Sequence, residues 1–384
     1  MRFVFISTMT GYAWGGSEEL WSQTAVCLRD AAHTVSALVE DNGPRPPKLD
    51  AVVRKGIDLR VRHRPRRPLV SALRTRLTGQ PRRDPDEIWL REKQPDFVVI
   101  SQGSIADGLP WRQFCLTAKI PYAIVVHSND DSLWFADAEA GAHAQTYLAA
   151  KRVFFVSQHN WRLLERQIGV GLPNALIIWS PHNVSRDAAP PWPAGRETAR
   201  LACVGRLEPA AKGQDILLQV LARPEWRGRP VELNLYGSGP QEQILRALSA
   251  RLVLPNVHFR GQVENVENIW KENELLVLAS RREGLPLTLI EAMSCARPAV
   301  VTDVGGSVEL CTDGETGFIA AAPVVPCFAE ALERAWARRG DWAQMGRAGR
   351  EHILQVVPRD PVAEFFKILL MIAERPAKVR RQDD

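Results

Sequence analysis

Short apolar runs alternate with helix-length amphipathic stretches along this chain, the pattern of parallel sheets covered by helices. A first series of strand candidates reads Phe3–Ser7, Thr34–Val39, Phe97–Ser101, Ala123–His127, Val153–Val156 and Ala175–Trp179; a second reads Leu201–Val204, Glu232–Tyr236, Val257–Phe259, Leu275–Ala279 and Ala299–Thr302. Between them, Pro190, Pro191, Pro193 and Gly195 can continue neither a helix nor a central strand. The pattern predicts an α/β protein of two doubly wound, Rossmann-like parallel-sheet domains: an N-terminal domain over 1–188, a C-terminal domain over 189–360, and a closing helix with a charged tail over 361–384. Ligands of such folds bind outside the carboxyl ends of the strands, so a cleft between the domains is the expected site. The run Glu364–Ile372 reads as a buried helix.

Composition supports this picture. The chain has 384 residues, 45% apolar and 24% charged, enough to bury sizeable cores and too long for one ordinary core. The opening Met1–Ser7 is too short an apolar run for a signal peptide, and no later stretch approaches the ~20 apolar residues of a membrane helix. A cytoplasmic home is expected. Six cysteines lie far apart with no CxxC pair, which points to reduced core residues rather than zinc ligands or disulfides.

Charge changes the picture at one place. Eleven basic residues fall between Arg54 and Arg83, with Asp58 the only acid among them. Such a block suits anionic lipid headgroups, and hence a peripheral place on the inner membrane face, or a phosphorylated acceptor; a solvated surface segment is the other reading. No aromatic is interleaved with it, which argues against nucleic acid.

The densest chemistry lies in Leu275–Gly306, LLVLASRREGLPLTLIEAMSCARPAVVTDVGG. A strand gives way to a polar loop carrying Glu283 and Gly284, and Pro286 stands at the start of a helix that runs through Glu291. The amides around Leu285, Pro286, Leu287 and Thr288 then face outward at a positive helix end, a ready place for phosphate. A carboxylate accepts hydrogen bonds from vicinal hydroxyls, so one glutamate suits a sugar ring and the other a ribose. Read alone, two such glutamates are as a rule surface residues favoured by the helix dipole. A second group, Val204–Asp215, again ends a strand and opens a helix: Gly205 permits a tight turn, and Arg206 and Lys212 put positive charge where a leaving diphosphate would need it.

These strings resemble glycosyltransferase family 4, whose signature is E-x7-E after a strand and a GRL…KG motif before it. Leu235-Tyr236-Gly237-Ser238-Gly239-Pro240 and Val257–Gly261 resemble the family's nucleotide-side turns, and the likeness spans nearly all of Leu201–Ala320. It implies a GT-B architecture and a retaining, hexosyltransferase-like enzyme. Glu283 would contact donor-sugar hydroxyls, Glu291 the nucleotide ribose, and Arg206 and Lys212 the diphosphate. This chain has one residue more between Arg206 and Lys212 than many members have.

Over the first domain the likeness is limited to Gly15-Gly16, His127 and the strand order. The glycine pair, followed by Ser17-Glu18-Glu19, is either the family's glycine loop facing the donor or a plain helix cap with Ser17 as cap. His127 closes its strand candidate, where the family often sets a histidine against the donor sugar. Ser157 and Asn183 read as interdomain packing. No cofactor is expected beside the nucleotide-diphosphate sugar as substrate, and no metal: Asp130-Asp131 is not a DxD motif and no Cys/His cluster exists. The acceptor stays open, as do two rival classes, a nucleotide-sugar epimerase and a non-catalytic nucleotide-sugar binding protein.

Overall fold

The computed structural model describes residues 1–63, 84–187, 190–193 and 197–374. Two parallel sheets organise it. The first comprises β1 (Arg2–Ser7), β2 (Thr34–Glu40), β3 (Asp58–Arg62), β4 (Phe97–Gln102), β5 (Tyr122–Val126), β6 (Arg152–Phe155) and β7 (Ala175–Ile177), in the spatial order β3-β2-β1-β4-β5-β6-β7. The second comprises β8 (Ala199–Val204), β9 (Val231–Tyr236), β10 (Val257–Gly261), β11 (Leu275–Leu278), β12 (Ala299–Thr302) and β13 (Gly317–Ala320), in the order β10-β9-β8-β11-β12-β13. The central strands are near-continuous apolar runs because helices cover both faces: every residue of β4, β5, β11 and β12 is buried. In each sheet the order reverses beside the first strand, between β1 and β4 and between β8 and β11. Those two switch points are where doubly wound folds open a crevice.

Two strands were not expected from the pattern. β3 is an edge strand with no buried residue, and its Arg60 and Arg62 belong to the basic block. Neither arginine is free: Arg60 meets Asp86 at 2.5 Å, and Arg62 meets Asp84 at 3.0 Å, Asp86 at 3.3 Å and Glu40 at 3.6 Å. Part of the block is therefore neutralised within the fold, Arg54 and Lys55 are exposed, and its other seven basic residues, within 64–83, lie outside the described residues. β13 is a four-residue strand paired along its whole length with β12.

The chain passes between domains earlier than its prolines suggest. Ile178 is buried in the first core, whereas Trp179 and Val184 pack on the second. The expected boundary at 188/189 thus falls in chain already fastened to the second domain. Buried Arg297 does the fastening: it donates to the carbonyls of Asn273 at 3.0 Å, Cys295 and Pro191 at 2.7 Å, and also of Trp270, while Trp192 stacks on it. Five guanidinium donors suit several carbonyls at once. The segment set apart at 361–384 also has a home. Its helix Pro361–Ala373 returns to the first domain, burying Phe365, Leu369 and Ala373 there, with Phe365 edge-on to Phe154 at 5.1 Å. Residues 375–384 lie outside the described part.

Candidate functional site

At the second switch point the ends of β8 and β11 bring two distant motifs together. After β8 the chain turns at Gly205 and Arg206 into the short helix Pro209–Lys212. After β11 the loop Ser280–Gly284 docks on that helix: the amides of Arg281 and Arg282 donate to the carbonyl of Ala211 at 2.8 and 3.1 Å, and Arg281 forms a forked pair with Asp215 at 2.6 and 2.9 Å. Gly237, at the end of β9, presses on this turn so closely that a Cβ there would overlap the carbonyl of Gly205.

The docking sets Lys212 Nζ 2.7 Å from Glu283 Oε1, which also accepts from Ser280 Oγ at 2.7 Å. Glu283 is only 7% exposed, so this pair is held in a poorly solvated place. The two residues expected at the phosphate and at the sugar are thus direct neighbours. Arg206 contacts other residues: its guanidinium lies 3.7 Å from the ring centre of Tyr12, a first-domain residue, and 3.4 Å from Glu208.

The helix Leu287–Ser294 begins behind the Glu283 loop with Pro286 as its cap residue, one position earlier than the first-turn proline expected. Its first-turn amides, those of Leu287 and Thr288, have no partner within the helix. Glu291 lies a turn further in, 3% exposed, and its Oε1 accepts from both the amide and the side chain of Asn183, at 3.0 and 2.9 Å. Burial pushes the Glu291 carboxyl above its ordinary pKa, against the lowering effect of the two Asn183 bonds. Asn183 is therefore part of the site's support and not the interdomain filler expected.

The first domain supplies the facing wall. Gly15 caps the helix Gly16–Asp30, and Gly16 stands so close to Leu287 that an added Cβ would come within 2.9 Å of its side chain. Two helix starts, one per domain, thus face each other across the cleft. Ser17 does not cap its helix; its hydroxyl turns to the sulfur of Met9 at 3.3 Å. Glu18 and Glu19 turn inward and are buried, Glu18 accepting from Ser7 and from Trp21, both at 2.7 Å.

His127 follows β5, its amide bonded to Gln102 at 3.0 Å and its Nε2 3.1 Å from Ser101 Oγ. Burial pushes its imidazole down to about 4, so the ring is neutral near pH 7. Its carbonyl touches the second domain: a Cβ on Gly284 would overlap the His127 oxygen. Nearby, Glu309 of the second domain accepts from the amides of Gln158 and His159 at 3.0 and 2.8 Å, closing the helix that Ser157 caps.

Four residues at the cleft were given no role by the motifs. Tyr12, Glu208, Arg282 and Asp130 join in a chain across it through Arg206, which links Tyr12 to Glu208, with Arg282 3.8 Å from Glu208 and 3.6 Å from Asp130. Glu208 and Arg282 sit inside the strings already quoted, so only their roles were hidden. Tyr12 and Asp130 come from separate first-domain loops.

Comparison with known proteins agrees with the geometry. The family model described as Glycosyltransferase Family 4 matches residues 14–181, and that described as Glycosyl transferases group 1 matches residues 198–338. The chain is similar to alpha-D-kanosaminyltransferase of Streptomyces kanamyceticus, 34% identical over 134 residues, covering 34% of each chain. It is also similar to a GDP-mannose-dependent alpha-(1-6)-phosphatidylinositol monomannoside mannosyltransferase of Mycolicibacterium smegmatis, 28% identical over 222 residues, 53% of this chain and 57% of that one. Matches to the first four curated relatives span between 23% and 42% of those proteins' lengths. Among solved structures, Anabaena HepE in complex with UDP superposes with a TM-score of 0.73 over 97% of this chain and 100% of that one, at 18% identity. Two parallel-sheet domains meeting at their switch points, with one matched model on each, are the GT-B arrangement, and the chain belongs to the family 4, group 1 kind of glycosyltransferase.

Proposed function

We propose that this chain transfers a sugar from a nucleotide-diphosphate donor to an acceptor and retains the configuration at the anomeric carbon. The observation that carries the reading is the Lys212–Glu283 pair at the second switch point, with the first-turn amides of Leu287–Ser294 beside it. The lysine and amides suit the diphosphate, Glu283 suits hydroxyls of the donor sugar, and buried Glu291, steadied by Asn183, suits the ribose. Neutral His127 at the facing wall can hydrogen-bond a sugar hydroxyl without adding charge. No covalent nucleophile is invoked: the departing phosphate takes the acceptor's proton on the same face. Domain closure excludes water and brings the reacting atoms together.

The donor's base and sugar are unassigned, since relatives are named for GDP-mannose and solved with UDP. No helix among the described residues is long and apolar enough to cross a membrane. Peripheral contact with an anionic, cytoplasmic-side membrane through Arg54–Arg83 is a further part of this reading, supported by the excess of eleven basic residues over one acid in that stretch, of which Arg60 and Arg62 are paired within the fold.

The test is incubation with UDP-, GDP- and ADP-sugars in excess chelator, without acceptor. A transferase releases nucleoside diphosphate slowly, an epimerase interconverts the sugar, and a binding protein does neither. Glu283→Ala is expected mainly to lower turnover and Glu291→Ala mainly to weaken donor affinity, because sugar contacts tighten as charge develops while ribose contacts persist. Activity abolished by chelator and restored by magnesium or manganese would assign the leaving group to a metal and remove Lys212 and Arg206 from that role.

A further inference from the structure

The diphosphate end of the proposed site has a feature that the motif strings do not contain: Arg206, from the second domain, is held by a ring of the first. Its guanidinium carbon lies 3.7 Å from the centre of Tyr12. Glu208 stands beside this pair, and Arg206 reaches its carboxylate at 3.4 Å. Arg282, 3.8 Å from Glu208 and 3.6 Å from Asp130, carries the chain of contacts back into the first domain.

Tyr12 is presented by a pinned turn. Next to it the amide of Gly11 donates to Asn42 at 2.8 Å, Asn42 donates back to Met9 at 3.0 Å, and Trp14 donates to Glu19 at 2.7 Å. The ring is therefore fixed in the first domain before any ligand arrives. Arg206 is the opposite case. Its side chain is 41% exposed, and an arginine on a long flexible stem samples many rotamers unless something restrains its plane. A stacked ring is such a restraint.

We propose, building on the nucleotide-sugar reading above, that Tyr12 is a positioning residue that holds the Arg206 guanidinium at the diphosphate end of the cleft, so that the full cationic site exists only when the domains are closed. Glu208 stands in for the ligand's charge. A nucleoside diphosphate competes with Glu208 for Arg206, and Glu208 keeps Arg282 as its counter-charge. The Tyr12 ring stays on the guanidinium throughout, because stacking uses the face and phosphate uses the edge.

The test measures kcat and KM for hydrolysis of the donor found active in the nucleotide-sugar panel, for Tyr12→Ala, Tyr12→Phe, Arg206→Ala and Tyr12→Ala/Arg206→Ala. Tyr12→Ala is expected to lower kcat by roughly 2- to 30-fold with less than a twofold change in donor KM. Tyr12→Phe keeps the ring and retains at least about half of the native kcat. The double variant falls within about twofold of Arg206→Ala, since the ring has nothing left to hold. Where Arg206→Ala is too slow to measure, Arg206→Lys replaces it, because an ammonium lacks the stacking plane. Additive losses in the cycle, or a phenylalanine as damaging as the alanine, overturn the proposal. A native chain that turns over no nucleotide sugar defeats the donor reading itself and this role with it; an active native chain with additive losses defeats Tyr12 alone.

Discussion

Lys212→Ala is expected to lower donor turnover by roughly 10- to 150-fold, the worth of one charge-assisted hydrogen bond to phosphate of about 1.5–3 kcal/mol. Most of the loss belongs in kcat, since phosphate charge is greatest as the glycosidic bond breaks. The structure adds a second expected effect. Lys212 is the counter-charge of Glu283, which is 7% exposed and would be left with Ser280 as its remaining partner. Stranding that carboxylate costs on the order of 1–3 kcal/mol of stability. The two effects separate in the double variant Lys212→Ala/Glu283→Gln: a neutral amide needs no counter-charge, so thermal stability recovers while turnover does not. Lys212→Arg should rescue only in part, because a planar fork is aimed differently from a compact ammonium. Full activity in Lys212→Ala would contradict the assignment.

Gly284→Ala is expected to abolish nearly all turnover by a different route. A Cβ at this position overlaps the carbonyl oxygen of His127 and comes within 3.0 Å of Val156 Cγ2, both in the facing domain. A backbone oxygen has no rotamer through which to retreat, so the two domains must separate. A displacement of about 1 Å at a reacting centre costs on the order of 100-fold. The obstruction sits between domains and not within either core, so circular dichroism and nucleotide affinity should stay near native while turnover collapses. A Gly284→Ala chain with native turnover would show that catalysis does not need this closed contact.

The parts of this molecule that the sequence made legible are those that travel together along the chain. Glu283, Pro286 and Glu291 fall on one strand–loop–helix string, so their order alone placed them at one strand end. The alternation of β5 or β11 with helices was equally clear, because buried parallel strands are nearly pure apolar runs. β3 hid for the opposite reason: as an edge strand it has no buried face, and its arginines looked like a surface block while they were pairing with Asp84 and Asp86. The domain crossing was read from prolines, which mark where regular structure ends and not which core the chain has joined; Arg297 had already bound that stretch to the second domain. The apolar helix Pro361–Ala373 was visible as buried, yet nothing local could say that it packs on the first domain. Tyr12 and Asp130 were illegible because their meaning depends on partners, Arg206 and Arg282, nearly two hundred and about one hundred and fifty residues away along the chain.

The central claim is that the ends of β8 and β11 hold a nucleoside diphosphate, and calorimetric titration of the native chain with UDP, GDP and ADP in excess chelator tests it most directly. One of the three should bind, and its affinity should fall at least about tenfold in Glu291→Ala and in Lys212→Ala, each of which removes one charged contact. It should be unchanged in Arg246→Ala, a residue of the exposed apolar dimple beside β10. Absence of binding by all three, or binding indifferent to both Glu291 and Lys212, would contradict the account.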